Sequence, residues 1–365
     1  MSRNKIKYSF IILAILSIQL IFRSAFGEEP KGIYSYGLGR NYINSPSLQL
    51  PYIAGMTAAF TWQELEPKEN QYDFNGIIEL LDWAKKNDKL LNIVLVAGNK
   101  SPEWLYSKDI NSITWKRRWK EDQAKMHNEE FNTEKSPVFW DDKYLVLWKD
   151  LITALSEKIA QHSALGYIVI TGATPKDYTT GTVIRYDEDW NKIIELGYTH
   201  ELHLKAWKSL IDHYIEVFKD NDLVLAVGPL RPASADLRLS EELIAYIVEH
   251  KWLNVSFVSV ILNDTWFTTS KTCIRLRNLL KDASSHGHFF GYQMNYSVQR
   301  MNGFKNDSNK IIKDFDRCLA IAIEDGVSWI EVWHPDVIQP KSTGIANPTF
   351  KEAIEKATTK RSTQN

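Results

Sequence analysis

The sequence predicts an α/β protein folded as a (β/α)8 barrel. Three observations carry that expectation: eight short, β-rich apolar runs, amphipathic helical stretches between them, and no long linker separating them. Such alternation argues for parallel strands joined by helical crossovers. Eight units in roughly 250 to 340 residues suit a closed TIM-type barrel better than a doubly wound sheet. A doubly wound sheet would also need a glycine-rich phosphate turn after its first strand, and Gly37-Leu38-Gly39 lacks the rest of that fingerprint.

The predicted strands occupy 32–40, 53–62, 90–99, 165–174, 223–229, 255–264, 288–297 and 327–336. Helical spacing, with apolar residues recurring at three and four, is clearest at 75–87, 143–161, 203–218, 240–250 and 308–326. Two stretches interrupt the rhythm. Ser101 to Trp140, after the third strand, is charged, rich in tryptophan and without a predicted strand; 174–202 follows the fourth strand. Loops of that length in a compact domain usually serve function, and after barrel strands they line the active-site mouth.

The 365 residues are 44% hydrophobic and 12% aromatic, enough for one substantial core. Lys and Arg total 44 against 45 for Asp and Glu, so no positive surplus exists to hold a phosphate backbone, and nucleic acid is not an expected partner. The amino terminus has a basic start (Arg3, Lys5, Lys7), an apolar run from Ser9 to Phe22, and small residues Ala25 and Gly27 before Glu28. That layout predicts a secretory signal over 1–27 and a secreted or periplasmic protein, with membrane attachment only if the segment is retained. A single barrel domain is expected over 28–356, followed by a polar tail over 357–365. Cys273 and Cys318 are expected as two buried thiols, and no metal-ligand spacing or cofactor fingerprint is present in the sequence.

The run from Phe60 to Leu95, with Ser101-Pro102-Glu103-Trp104-Leu105 after it, resembles the amino-terminal half of the clan A glycoside hydrolases, which include the bacterial β-galactosidases. The matching residues are Trp62, Leu65, Glu66, Pro67, Tyr72, Asp73, Phe74 and Ala84. The resemblance implies a (β/α)8 fold, a carbohydrate-facing pocket, and two glutamates, one ending the fourth strand after an asparagine and one ending the seventh. This chain has Thr171 and Gly172 at the first place and Gln293 at the second.

Retaining glycoside cleavage needs one carboxyl to protonate the leaving oxygen and another to attack the anomeric carbon. An amide such as Gln293 can do neither, but it suits holding a sugar hydroxyl. Strand alternation points Trp329, Glu331 and Trp333 into the barrel, with Gly291, Gln293 and Asn295 on the seventh strand and Ser259, Ile261 and Asn263 on the sixth. Glu331 is the one carboxylate that alternation puts inside near a strand end. It reads either as an essential acid, base or nucleophile, or as a buried glutamate paired with neighbouring strands or with Arg40.

Asp177, Asp264 and Asp336 follow strands and could supply the second carboxyl, Asp177 first among them; each also suits a loop or capping role. Glu66 reads as structural. Trp62, Trp104, Trp266 and Trp333 fall at or just past strand ends, where flat rings suit the face of a pyranose. Trp83, Trp148 and Trp207 lie within helical patterns and read as packing. The sequence therefore predicts an O-glycoside hydrolase using Glu331 and Asp177 on an oligosaccharide or polysaccharide. The rival is a saccharide-binding barrel without turnover.

Overall fold

The computed structural model describes residues 31–37, 45–116, 133–182, 184–231, 234–295 and 315–338. The signal over 1–27, the tail over 357–365 and Arg40 lie outside the described residues.

Ten strands are described: β1 (Gly32–Gly37), β2 (Ile53–Thr61), β3 (Leu90–Val96), β4 (Ser112–Lys116), β5 (Thr133–Pro137), β6 (Leu165–Val169), β7 (Asp222–Ala226), β8 (Val255–Leu262), β9 (Phe290–Met294) and β10 (Trp329–Trp333). Eight of them close a parallel barrel in the order β1-β2-β3-β6-β7-β8-β9-β10, with β10 returning to β1. The predicted fold class is therefore the observed one. β6 is the fourth barrel strand, β9 the seventh and β10 the eighth.

The long helices between strands are α2 (Asn75–Lys86), α3 (Asp142–Ile159), α5 (His200–Val217), α6 (Arg238–His250), α8 (Lys271–Ser285) and α9 (Phe315–Asp325). Shorter ones are α1 (Trp62–Leu65), α4 (Asp187–Glu195), α7 (Trp266–Thr269) and α10 (His334–Ile338). None of the described helices is long and apolar enough to cross a membrane. α3 shows why these segments are helical and why they dock. Asp141 caps it by accepting from the Lys143 and Tyr144 amides at 2.8 and 3.1 Å. Tyr144, Trp148, Leu151, Ile152, Leu155 and Ile159 then form one buried stripe.

Two apolar layers result. The larger lies between strands and helices; the smaller fills the barrel with Tyr34, Val94, Tyr167, Val169, Val224, Ala226, Val258 and Trp329. Gly291 is what lets Trp329 lie across the interior: an added Cβ there would meet the indole at 2.1 Å. Cys273 and Cys318 are both buried.

The structure departs from the sequence reading in four places. Ser101 to Trp140 does contain strands: β4 and β5 pair antiparallel, Ser112 opposite Pro137 and Lys116 opposite Thr133. Only Ile113 and Trp115 alternate there, and the Glu, Lys and Pro of β5 carry little strand propensity. Second, among the described residues the β1–β2 connection holds a 3-10 turn over Pro46–Gln49, not a crossover helix. Third, β8 presents Val258 and Val260 to the interior, while Phe257 and Ile261 pack against the outer layer, so Ser259 and Ile261 face the helices. A register shift between Ser259 and Leu262 then breaks the alternation, with Ile261 and Leu262 both packed against the outer layer. Fourth, β10 stops at Trp333, and Asp336 is buried in the first turn of α10.

Candidate functional site

Glu331 sits inside the barrel, 3% exposed, its Cα level with Tyr34 on one neighbouring strand and Gln293 on the other. Its Oε1 accepts hydrogen bonds from the Thr57 hydroxyl and, at 2.5 Å, from the Tyr167 hydroxyl. Asn92 completes the ring: its Nδ2 donates to Thr57 Oγ1 at 3.2 Å, and its Oδ1 accepts from the Tyr167 amide at 3.2 Å. The Tyr167 ring stands 6.0 Å from Tyr34 and 5.5 Å from Trp329. Burial raises the Glu331 carboxyl above its ordinary 4.5, and the Thr57 and Tyr167 hydrogen bonds oppose that shift. β2, β6 and β10 thus meet at one carboxyl group, and Asn92 ties β3 to the same cluster. Arg40, the cation suggested for it, lies outside the described residues.

A second group stands beside it. The Tyr178 hydroxyl donates to Gln293 Oε1 at 2.5 Å, and the Tyr178 ring packs against the interior cluster. Tyr36 lies 6.4 Å from Tyr178 and 4.8 Å from Trp333, edge to face with the indole. Trp333 Nε1 donates to the Met294 carbonyl at 2.6 Å, which fixes the plane of the ring. Asp177 precedes Tyr178 in the left-handed region, at φ 77, and accepts the Tyr178 amide at 2.8 Å. Burial raises the Asp177 carboxyl, with Tyr178's amide and Lys176 opposing. The charges of Asp177 and Glu331 both push the Tyr36 and Tyr178 hydroxyls upward, after burial as the main cause.

The end of β6 is built differently. Thr171 is buried, its hydroxyl 3.2 Å from that of Tyr214 on α5. The carbonyls of Thr171 and Gly172 accept from Trp148 Nε1 at 2.9 Å and Tyr144 hydroxyl at 2.7 Å, both on α3. Gly172 has φ +122, and an added Cβ would meet Trp148 Nε1 at 2.4 Å. No L side chain fits there without a shift of that helix.

The remaining residues singled out in the sequence divide. Trp62 is fully buried, donates to Glu66 Oε2 at 2.8 Å and packs on Trp148 at 4.9 Å, so it has no face to offer a ligand. Trp104 is half-buried, stands 6.2 Å from Trp62 and donates to the Glu66 carbonyl at 3.0 Å. Glu66 clamps this corner, accepting also from the Asn70 amide at 2.8 Å. Asn263 is buried and spans its own turn, bonding the Ile261 carbonyl at 3.0 Å and the Trp266 amide at 2.5 Å. Trp266 is exposed at the start of α7, and Asp264 precedes it, its carbonyl accepting from Thr268. Asn295 Nδ2 is buried with no hydrogen-bond partner among the described residues.

Thr57, Asn92, Tyr167, Tyr36 and Tyr178 were not anticipated. The first three share a signal that was available: polar residues embedded in apolar strands at facing positions. Tyr178 sits in an irregular loop, where alternation gives no direction. No group of three or more His, Cys, Asp or Glu able to hold a metal occurs among the described residues.

Comparison with known proteins agrees with this architecture. The glycoside hydrolase family 42 model, described as β-galactosidase, matches residues 52–173, about a third of the chain. No curated protein matches the sequence. Among solved structures, the catalytic domain of a β-amylase from Paenibacillus polymyxa aligns with a TM-score of 0.60 at 11% identity, covering 90% of this chain and 100% of that one. Xylanase 10B from Thermotoga maritima aligns at 0.45 with 15% identity, over 83% of each chain. At such identities the β-amylase likeness shows the fold alone. The chain is a TIM barrel resembling the clan A glycosidases, and residues 52–173, from β2 to just past Gly172, are similar to family 42.

Proposed function

We propose that the protein binds a β-linked saccharide, of the galactoside class, at the carboxyl ends of its barrel strands and does not cleave it by the two-glutamate route. The carrying observation is the fate of the two glutamate positions: one is Gly172, closed over by Trp148, and the other is Gln293, held by Tyr178. A retaining mechanism needs two carboxyls about 5 to 5.5 Å apart across the scissile bond, and neither position supplies one. The family 42 segment supports the sugar class. Gln293 with its amide, Asn295 with a buried Nδ2 that has no partner among the described residues, and Trp333 and Tyr36 as apolar faces are groups suited to hold a sugar ring. Affinity electrophoresis through gels containing soluble β-galactan tests the reading. Migration should be retarded and the retardation relieved by free galactose; unretarded migration in galactan, xylan and starch gels alike would reject it.

One observation favours slow hydrolysis instead. Glu331 and Asp177 are both raised by burial and both bear on Tyr36 and Tyr178, so they are the two carboxyls beside this cluster that could serve as acid and base. In that case release of nitrophenol from aryl glycosides is lost in both Glu331→Gln and Asp177→Asn; turnover insensitive to either ends this reading. The proposal includes export, with cleavage after Gly27, as the amino-terminal pattern suggests. Intact-mass measurement on the protein from an exporting host should find Glu28 first.

A further inference from the structure

We propose that Tyr178 is the specificity-determining residue of the barrel mouth, a stopper whose phenol donates to Gln293 Oε1 the hydrogen bond that a ligand hydroxyl would otherwise donate. Resting on the saccharide reading for the ligand's identity, the inference depends on the geometry of three groups. Gln293 and Glu331 are only 2% and 3% exposed, whereas Tyr178 is half-buried. Its ring covers the interior cluster, and its hydroxyl is 2.5 Å from Gln293 Oε1. A ligand hydroxyl that takes the same lone pair of that amide oxygen must displace this side chain.

The loop is anchored so that the side chain, not the backbone, is the movable part. On one flank the Asn99 amide donates to the Pro175 carbonyl at 2.8 Å, and Gly98 lies so close that an added Cβ would meet that oxygen at 2.1 Å. On the other, the Thr180 amide donates to the Ala226 carbonyl at 2.8 Å, and the Thr180 hydroxyl is 2.7 Å from that of Ser240. Thr174 Oγ1 closes the neck by donating to the carbonyls of Lys176 and Gly181 at 2.8 and 3.0 Å. Lys176 Nζ pairs with Glu134 at 2.7 Å, tying the loop to β5. Rotation of Tyr178 would uncover Gln293, with Tyr36 and Trp333 alongside. The displacing ligand must replace both parts of tyrosine: a hydroxyl for the amide and a flat apolar face for the rings. A pyranose meets both demands.

Tyr178→Ala and Tyr178→Phe, made in the full chain, test the proposal with p-cresol and lactose as probes. p-Cresol should raise the melting temperature of Tyr178→Ala and leave the wild type unmoved, because only the variant has an empty phenol socket. Lactose should bind Tyr178→Ala roughly tenfold more tightly than wild type, the return on one freed hydrogen-bond acceptor, with Tyr178→Phe between them. Equal lactose affinity in wild type and Tyr178→Ala overturns the stopper, as does a folded Tyr178→Ala that ignores p-cresol. Lactose binding to neither, with p-cresol still filling the variant, leaves the stopper standing and removes the saccharide reading. If Tyr178→Ala does not fold, Tyr178→Phe decides: unchanged lactose affinity overturns the proposal.

Discussion

The ends of β6 and β9 are the two places where the clan A resemblance expects a glutamate, and they have lost it in different ways. At β9 the replacement is an isostere. Gln293 keeps the size of glutamate, stays in the barrel and has a hydroxyl partner in Tyr178. At β6 the change is in the backbone and its cover: Gly172 takes φ +122, Trp148 and Leu210 fill the space where a side chain would begin, and Tyr144 donates to the Gly172 carbonyl. The contrast teaches that one loss is a matter of a single functional group, whereas the other is built into the packing of α3 and α5 against the strand.

Gly172→Glu should therefore show the largest effect. A side chain forced against the Trp148 indole, on backbone that L residues avoid, with a carboxylate to bury, should cost more than about 4 kcal/mol. Chemical denaturation would show the loss; a stably folded variant would break the contrast. Next comes Glu331→Ala, which leaves the Thr57 and Tyr167 hydroxyls without their acceptor inside the barrel and should cost about 3 kcal/mol.

Glu331→Gln sharpens the comparison through pH. Because the folded state holds the Glu331 proton more tightly than the unfolded chain, its contribution is fully present below the ordinary value of 4.5 and is lost as pH rises through the higher folded value. Urea midpoints of wild type should carry that decline and those of Glu331→Gln should not; parallel curves would contradict the raised carboxyl. Gln293→Glu should fold at a cost of about 1 to 2 kcal/mol, since the Tyr178 hydroxyl can still donate to it, and should gain no hydrolysis because β6 supplies no acid. Nitrophenol release by this single variant would break the account of β6. Asp177→Asn should do least, within about 0.5 kcal/mol by denaturation, since Asn tolerates the left-handed region and keeps an oxygen for the Tyr178 amide.

How far the sequence could be read follows the same division. Alternation along 329–333 was enough to send Trp329 and Glu331 inward, because β10 is regular to its end. It failed along β8, where the shift between Ser259 and Leu262 changes which residues face the barrel. Tryptophans past strand ends were ambiguous for a physical reason: the same position can stay half-buried, as Trp333 does beside Tyr36, or begin a helix that buries it, as Trp62 does. The β4–β5 hairpin was hidden by its charged faces. Tyr178 had no local pattern to betray it, since its direction is set by contacts distant in the chain.

Isothermal titration of the full chain with 4-nitrophenyl β-galactoside tests the central claim most directly, because the same trace records binding as saturating heat and turnover as sustained power. The account predicts saturable heat that returns to baseline with no nitrophenol released. Sustained power with stoichiometric nitrophenol would contradict it.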